Sequence, residues 1–137
     1  MIAHTLACLG RHGFHRLAYY EWAGPSGAPT VLCLHGLTRN GHDFDVLAEA
    51  LSAEFRIVAL DFPGRGASEW LSHPEDYVTE TYAADTAAVI ARLGVERVDL
   101  YLAHAWDDDV PAAELAGVFA ELVEAGKIGE RIEPKMR

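Results

Sequence analysis

Short apolar runs alternate with amphipathic stretches along most of this chain. The runs at residues 30–34 and 55–60 show almost no polar alternation, which is typical of strands that are covered on both faces of a parallel sheet. Residues 97–104 are predicted to form a third strand of this kind. Each run is followed by a polar loop, so the pattern predicts three parallel strands with connections that return to the same end of the sheet.

Helical spacing of apolar residues fills the segments that follow these strands. Phe44, Leu47, Ala48 and Leu51 recur at i, i+3, i+4 and i+7, which predicts a helix over about 43–53. A second helix is predicted over 79–93, and a third from Pro111 to Gly126. The alternation of strands and helices predicts an α/β fold: a three-layer α/β/α domain with a mostly parallel sheet.

Residues 1–29 are predicted to form a hairpin or a pair of edge strands, with the turn marked by Gly10 and Gly13. The expected strand order is the N-terminal strands, the Ile57 strand, the Val31 strand and the Val98 strand. A single domain is expected over 1–137, made of 1–97, 98–129 and a polar tail at 130–137.

Composition narrows the classes of function. The chain has 137 residues and a formal charge of −10, which argues against nucleic acid or anionic membranes as partners. Its two cysteines are too few for a disulfide framework. No apolar run reaches membrane-spanning length, and residues 1–10 lack the basic start of a signal peptide, so a cytoplasmic location is expected.

The first candidate site lies where the Val31 strand ends, at His35-Gly36. Ligands of open α/β sheets bind outside the carboxyl ends of the strands. Gly36 has no Cβ, so we expect a sharp backbone turn there that leaves amide N–H groups directed into a cleft.

An ordered set of motifs makes residues 13–100 resemble the N-terminal part of an α/β-hydrolase. The set is the apolar strand into His35-Gly36, the loop Thr38-Arg39-Asn40-Gly41, the strand into Asp61-Phe62-Pro63-Gly64-Arg65-Gly66-Ala67-Ser68, and Gly94-Val95-Glu96 before Val98. The resemblance implies that Leu37 supplies an oxyanion-hole N–H and that Gly36 makes the turn. It implies hydrolysis of ester, thioester, amide or carbon–carbon bonds in small carbonyl compounds. His35 is expected to order the loop through hydrogen bonds.

The same family requires a G-x-S-x-G nucleophile elbow directly after Leu100. By register, His104 stands at the serine position, and Leu102 and Trp106 replace the two glycines. The acid and histidine of a triad would lie further along a hydrolase chain. The sequence therefore predicts a truncated hydrolase with no complete set of catalytic residues, in which His35 and His104 are vestigial.

Residues 98–129 resemble instead one βα unit of an aldo-keto reductase, on the strand into His104 and on Trp106-Asp107, Pro111, Glu114-Leu115 and the segment 121–129. That family is a (β/α)₈ barrel that uses NADPH, and His104 matches its catalytic histidine. The partners of that histidine and the cofactor-binding strands have no counterpart here, so no cofactor is expected. The two resemblances together predict a chimera joined near Leu100. A non-catalytic α/β fragment and a reductase remnant stay open as alternatives.

Three other motifs are weaker. The skeleton from Gly36 to Gly41 resembles a phosphate loop, but His42 and Asp43 stand where Lys and Ser/Thr are needed. The group of His104 with Asp107, Asp108 and Asp109 lacks a second His or Cys at ligand spacing, so no metal is expected. Ser68 has no paired base and is expected to be structural.

The strand at 97–104 predicts association. The tail from Lys127 to Arg137 is polar and too short for another βα unit, so this strand is expected to be an exposed edge. A homo-oligomer through this edge and a small carbonyl substrate are the expected partners.

Overall fold

Two long antiparallel strands open the fold. A computed structural model describes residues 1–96, 98–102, 117, 120–126 and 128–132, which divide into two compact units at Leu93 and Gly94. Strand β1 (Ile2–Gly10) and strand β2 (Gly13–Trp22) pair from Ile2 opposite Glu21 to Gly10 opposite Gly13. Gly13 has φ of 130°, a conformation that suits glycine, so the predicted hairpin and its turn are confirmed.

The first unit contains a four-stranded sheet. Strand β3 (Thr30–Cys33) runs parallel to strand β4 (Arg56–Asp61), and β4 runs antiparallel to β2. The order β1-β2-β4-β3 confirms the predicted order of the N-terminal, Ile57 and Val31 strands. The sheet is mixed, however, because only the β3–β4 pair within it is parallel, and the predicted mostly parallel sheet is wrong for this unit.

Helices cover both faces of this sheet. Helix α1 (Asp45–Leu51) follows a 3₁₀ turn at Gly41–Phe44, and helix α2 (Thr79–Leu93) has the predicted bounds. A second 3₁₀ turn lies at Pro74–Asp76. Gly94 ends α2 with φ of 70°, in the left-handed region that favours glycine. None of the helices in the described part of the chain has the length and apolar character that crossing a membrane requires.

Alternate residues of β2 and β4 belong to two separate cores. The core on the α2 side contains residues of β1, β2, β4 and α2: Cys8, Leu17, Tyr19, Val58, Leu60 and Val89. The core on the α1 side contains residues of β2, β3, β4 and α1: Tyr20, Trp22, Cys33, Ala48, Ile57 and Ala59. Residues 57–61 are all buried, as expected for β4, which lies between β2 and β3 in the sheet. The predicted three-layer arrangement is confirmed here, and pairing of β3 with the Val98 strand stays a prediction.

The second unit contains two parallel strands, β5 (Val98–Leu102) and β6 (Ile128–Ile132). Residues 117 and 120–124 are helical, and Gly126 follows them with φ of 67°. Leu100 lies opposite Glu130 and Leu102 lies opposite Ile132.

Strand β6 corrects the sequence analysis, which expected only a polar tail after residue 129 and no strand beside the Val98 strand. A strand is held by hydrogen bonds between backbone N–H and C=O groups, which every non-proline residue has. The charges of Glu130 and Arg131 therefore did not indicate whether this segment forms a strand. The predicted single domain over 1–137 and the association through 97–104 stay predictions.

Candidate functional site

His35 joins the ends of the two parallel strands of the first unit. Its Nε2 accepts the backbone N–H of Phe62 at 2.9 Å, so the proton is on Nδ1, which donates to the Gly36 carbonyl at 2.7 Å. His35 is 7% exposed as a residue. Both ring nitrogens are occupied, so His35 orders the loops, as expected, and is unavailable as a base.

The hydrogen bonds to the Gly36 carbonyl fix the direction of the next amide. The carbonyl accepts from His35 and also from the N–H of Arg39 at 3.1 Å. In a trans peptide the C=O and N–H point in opposite directions, and the chain has no cis peptide among its described residues. The N–H of Leu37 therefore points away from His35. Within the described residues it donates to no protein acceptor, as an oxyanion donor requires.

Gly36 itself corrects one expectation. Its φ is not positive, and a Cβ built there would meet nothing nearer than the Arg39 side chain at 3.9 Å. The turn therefore does not depend on the missing side chain of Gly36. The hydrogen bonds that its carbonyl accepts make the turn instead.

Arg65 binds the carbonyl of the peptide that follows Leu37. Its Nε donates to the Leu37 carbonyl at 3.0 Å, and its terminal nitrogen donates to the Pro63 carbonyl and to the Tyr82 hydroxyl, both at 2.9 Å. The guanidinium lies 5.2 Å from the centre of the Tyr82 ring. Arg65 thus connects the loop after β3, the loop after β4 and helix α2. The motif that carries Arg65 was recognised in the sequence, but nothing in it indicated the contact with Leu37.

Asp61 anchors the two loops of the site to the sheet. Its buried carboxylate accepts the Tyr20 hydroxyl at 2.7 Å, the N–H of Gly41 at 2.7 Å and the N–H of Ala67 at 2.8 Å. Burial, and then the hydrogen bond to Asp61, raise the pKa of Tyr20 above its usual value. Three donors satisfy a carboxylate that has 0% exposure, so Asp61 ties β2 to both loops.

Ser68 has the structural position that the sequence predicts. Its hydroxyl donates to the Asp61 carbonyl at 2.5 Å and accepts the N–H of Ala18 at 2.8 Å. These contacts use the oxygen in the fold and leave it 6% exposed as a residue, so Ser68 is not placed to attack a substrate.

The remaining predicted site residues lie outside the described part of the chain. They are His104, Trp106, Asp107, Asp108 and Asp109; Leu102 is described only as the last residue of β5. The roles given to His104 as a residue at the serine position, or as a match to the reductase histidine, stay predictions.

The fold and the paired loops define a class of protein. A sequence model of the alpha/beta hydrolase fold matches residues 29–106, which is more than half of the chain. The chain belongs to the alpha/beta hydrolase fold family. The match extends past the predicted junction near Leu100, while the resemblance of 98–129 to an aldo-keto reductase stays a prediction.

Known proteins agree with this assignment. The chain is 47% identical over 94 residues to a 3-hydroxybutyrate-oligomer hydrolase of Cupriavidus necator, a match to 69% of this chain and 32% of the relative. It superposes on an alpha/beta hydrolase of Novosphingobium aromaticivorans with a TM-score of 0.71 and 26% identity, over 98% of this chain and 45% of the other. An N-acyl homoserine lactonase complexed with N-butanoyl homoserine gives a TM-score of 0.62 and 30% identity, over 73% of this chain and 35% of the other. The chain spans about a third of the length of the 3-hydroxybutyrate-oligomer hydrolase.

Proposed function

We propose that this chain forms the oxyanion-loop part of a hydrolase that cleaves carboxylic ester bonds. The observation that carries the proposal is the direction of the Leu37 N–H, which the hydrogen bonds to the Gly36 carbonyl turn away from His35. A donor fixed in this way needs no reorganisation when negative charge develops on a carbonyl oxygen, so it stabilises the tetrahedral intermediate of acyl transfer.

Two of the similar proteins favour esters among the bonds that the family cleaves. Oligomers of 3-hydroxybutyrate are joined by ester bonds, and the relative named for their hydrolysis is 47% identical over the matched region. A lactone is a cyclic ester, and the lactonase is 30% identical to this chain. In each case the ester is formed by a four-carbon hydroxy acid, 3-hydroxybutyrate or homoserine, so we infer a small aliphatic ester.

We infer that this chain binds the carbonyl group without turnover. His104 stands at the position that the elbow serine would take, and Ser68 is held inside the fold by Asp61 and Ala18. A non-catalytic α/β fragment is therefore the second candidate, and the sequence around His104 is what favours it. The two candidates differ in whether the Leu37 amide still recognises a carbonyl or carboxylate oxygen.

The test is a titration of the ¹⁵N-labelled chain with butyrate, followed by amide NMR. We expect the Leu37 amide to shift in a saturable way, while the amide of Gly27, in a turn at the other end of β3, stays unchanged. Arg65→Gln should weaken the response because it releases the Leu37 carbonyl. Arg39→Gln is the matched control, because Arg39 belongs to the same loop but bonds Asp43.

Absence of any Leu37 shift at saturating butyrate would overturn the proposed site and favour the non-catalytic fragment. Hydrolysis of p-nitrophenyl butyrate should stay at the buffer rate. Turnover above that rate that disappears in His104→Ala would contradict the proposed lack of activity.

A further inference from the structure

A pair of stacked histidines lies at the turn of the N-terminal hairpin. The rings of His12, from the β1–β2 turn, and His73, from the loop before the 3₁₀ turn at Pro74–Asp76, have centroids 4.0 Å apart and planes inclined by 21°. Glu75 lies beside them, and a ring nitrogen of each histidine and a carboxylate oxygen of Glu75 all lie within 4.8 Å of one another. We name these three residues and Asp76 the His12–His73 cluster.

Asp76 determines which ring nitrogen of His12 carries the proton. Its Oδ2 lies 2.8 Å from Nδ1 of His12, and Asp76 is only 8% exposed. An ionised carboxylate can only accept, so the proton is on Nδ1 and the lone pair of Nε2 is free for a ligand. Histidines that bind metals commonly donate their second ring N–H to a carboxylate in this way.

Glu75 supplies the third donor. Its Oε1 lies 3.3 Å from Nδ1 of His73. An ionised carboxylate offers oxygen lone pairs that a metal ion can accept. Two imidazoles and one carboxylate form a donor set that suits borderline divalent ions of the first transition row and suits Mg²⁺ or Ca²⁺ poorly.

The cluster has room to close around an ion. Donor atoms of a tetrahedral zinc site lie about 3.3 Å apart, since each is about 2.0–2.1 Å from the metal. Nδ1 of His73 and Oε1 of Glu75 already lie 3.3 Å apart, and the side chains of His12, His73 and Glu75 are 38%, 46% and 58% exposed, so they can rotate toward that spacing. His12 and His73 also line a cavity of about 110 Å³ that opens to solvent and can hold water in the remaining coordination position.

We propose that His12, His73 and Glu75 bind a divalent transition-metal ion such as Zn²⁺, with Asp76 orienting His12. The ion joins the hairpin turn to the loop that follows β4. The site lies outside the oxyanion loop and does not depend on the proposed ester hydrolysis.

A second group of metal-binding residues does not carry the same inference. Cys8, His15 and Asp85 also lie within ligand distance of one another, but all three are buried. Nε2 of His15 is bonded directly to Oδ2 of Asp85 at 2.8 Å, where an ion would have to stand. This trio is a closed hydrogen-bonded group in the core between the hairpin and α2.

The test is isothermal titration of the untagged full chain with ZnCl₂, in a buffer that does not bind zinc. We expect one saturable site per chain. His12→Gln, His73→Gln and Glu75→Gln should each abolish saturable binding, and Asp76→Asn should weaken it about tenfold or more because it acts through His12. His42→Gln is the matched control: His42 is also exposed and paired with a carboxylate, that of Asp45, but it has no second histidine beside it, so binding should be unchanged.

Equal zinc affinity in wild type and all cluster variants would overturn the proposal. Binding that does not saturate would also overturn it, because it would indicate an adventitious ion only. Glu75 is the most exposed of the three ligands, so Glu75→Gln keeps the test valid even if a histidine variant unfolds. Cobalt(II) gives an independent readout. The proposal expects visible absorption bands of a four-coordinate site in wild type and their loss in Glu75→Gln.

Discussion

The hydroxyl of Tyr20 donates to the carboxylate of Asp61 at 2.7 Å, and both residues are buried. The bond connects the C-terminal part of β2 to the end of β4, from which the loop with Arg65 departs. The same carboxylate also holds Gly41, so a single side chain sets the spacing of the two loops that form the candidate site. Changes at this group should therefore affect both folding stability and the position of the Leu37 amide.

Tyr20→Phe should lower the free energy of unfolding by about 1–3 kcal/mol, because it leaves one oxygen of a buried carboxylate short of a donor. Urea denaturation followed by tryptophan fluorescence measures the change. Tyr19→Phe is the matched control on the same strand, since the hydroxyl of Tyr19 makes no hydrogen bond to the described residues, and it should change stability by less than about 0.5 kcal/mol. Equal effects of the two substitutions would contradict the role given to Asp61.

Gly66→Ala should disrupt the loop after β4. Gly66 has φ of 53°, and a Cβ there would overlap the carboxylate of Asp61. Gly27→Ala tests the backbone cost alone, because Gly27 has φ of 77° and an added Cβ would meet nothing within 4 Å. We expect Gly27→Ala to cost about 1–2 kcal/mol and Gly66→Ala to cost clearly more. Thermal denaturation of both variants gives the comparison, and similar melting temperatures would argue against the close approach to Asp61.

The contact of Glu21 with Arg56 should make stability depend on pH. The hydrogen bond from Arg56, at 2.6 Å, lowers the pKa of Glu21 below its ordinary value of 4.5. For a carboxylate with a lowered pKa in the fold, the stabilisation is present above the unfolded pKa and is lost as pH falls through the folded pKa. The stability difference between wild type and Glu21→Gln should thus be largest near neutral pH and should shrink in acid.

Urea midpoints measured from about pH 7 down to about pH 3 follow this change across the range in which glutamates titrate. Glu54→Gln, at an exposed position after α1, is the control and should leave the pH profile parallel to that of wild type. A wild-type advantage over Glu21→Gln that is constant down to the lowest pH would contradict the pairing.

Both thiols should be inert in the folded chain. Burial, and then the negative charge of Asp85, raise the pKa of Cys8 to about 12, and burial raises the pKa of Cys33. Thiolates are the reactive form, so Ellman's reagent at mildly alkaline pH should titrate no thiol in the native chain and two in urea. A fast-reacting thiol in the native chain would show that one of the cores is open to solvent.

The periodicity of the sequence was a good guide where one face of an element is buried. The bounds of α2 follow from its apolar positions and from Gly94, and the hairpin follows from Gly10 and Gly13. β6 escaped prediction because a short polar strand has little side-chain signal, and its pairing with β5 depends on backbone groups that every residue has.

The candidate site was predictable in position but not in its contacts. The strand end at His35 and the proposed donor Leu37 follow from the motif, whereas the contact of Arg65 depends on a hydrogen bond to a residue 28 positions earlier. The His12–His73 cluster was missed for the same reason. Its two histidines are far apart in the sequence, and only the packing of the hairpin turn against the loop after β4 brings them together.

The division of β2 between two cores limits how this chain can vary. Leu17 and Tyr19 pack on the α2 side of the sheet, while Tyr20 and Trp22 pack on the α1 side. Inserting or deleting one residue within β2 would move every later side chain of the strand to the opposite face of the sheet. Each aromatic side chain beyond the change would then face the helix on the other side. Natural length variation in β2 should therefore occur in steps of two residues or be confined to its ends, while the turn around Gly27 is free to change length by one.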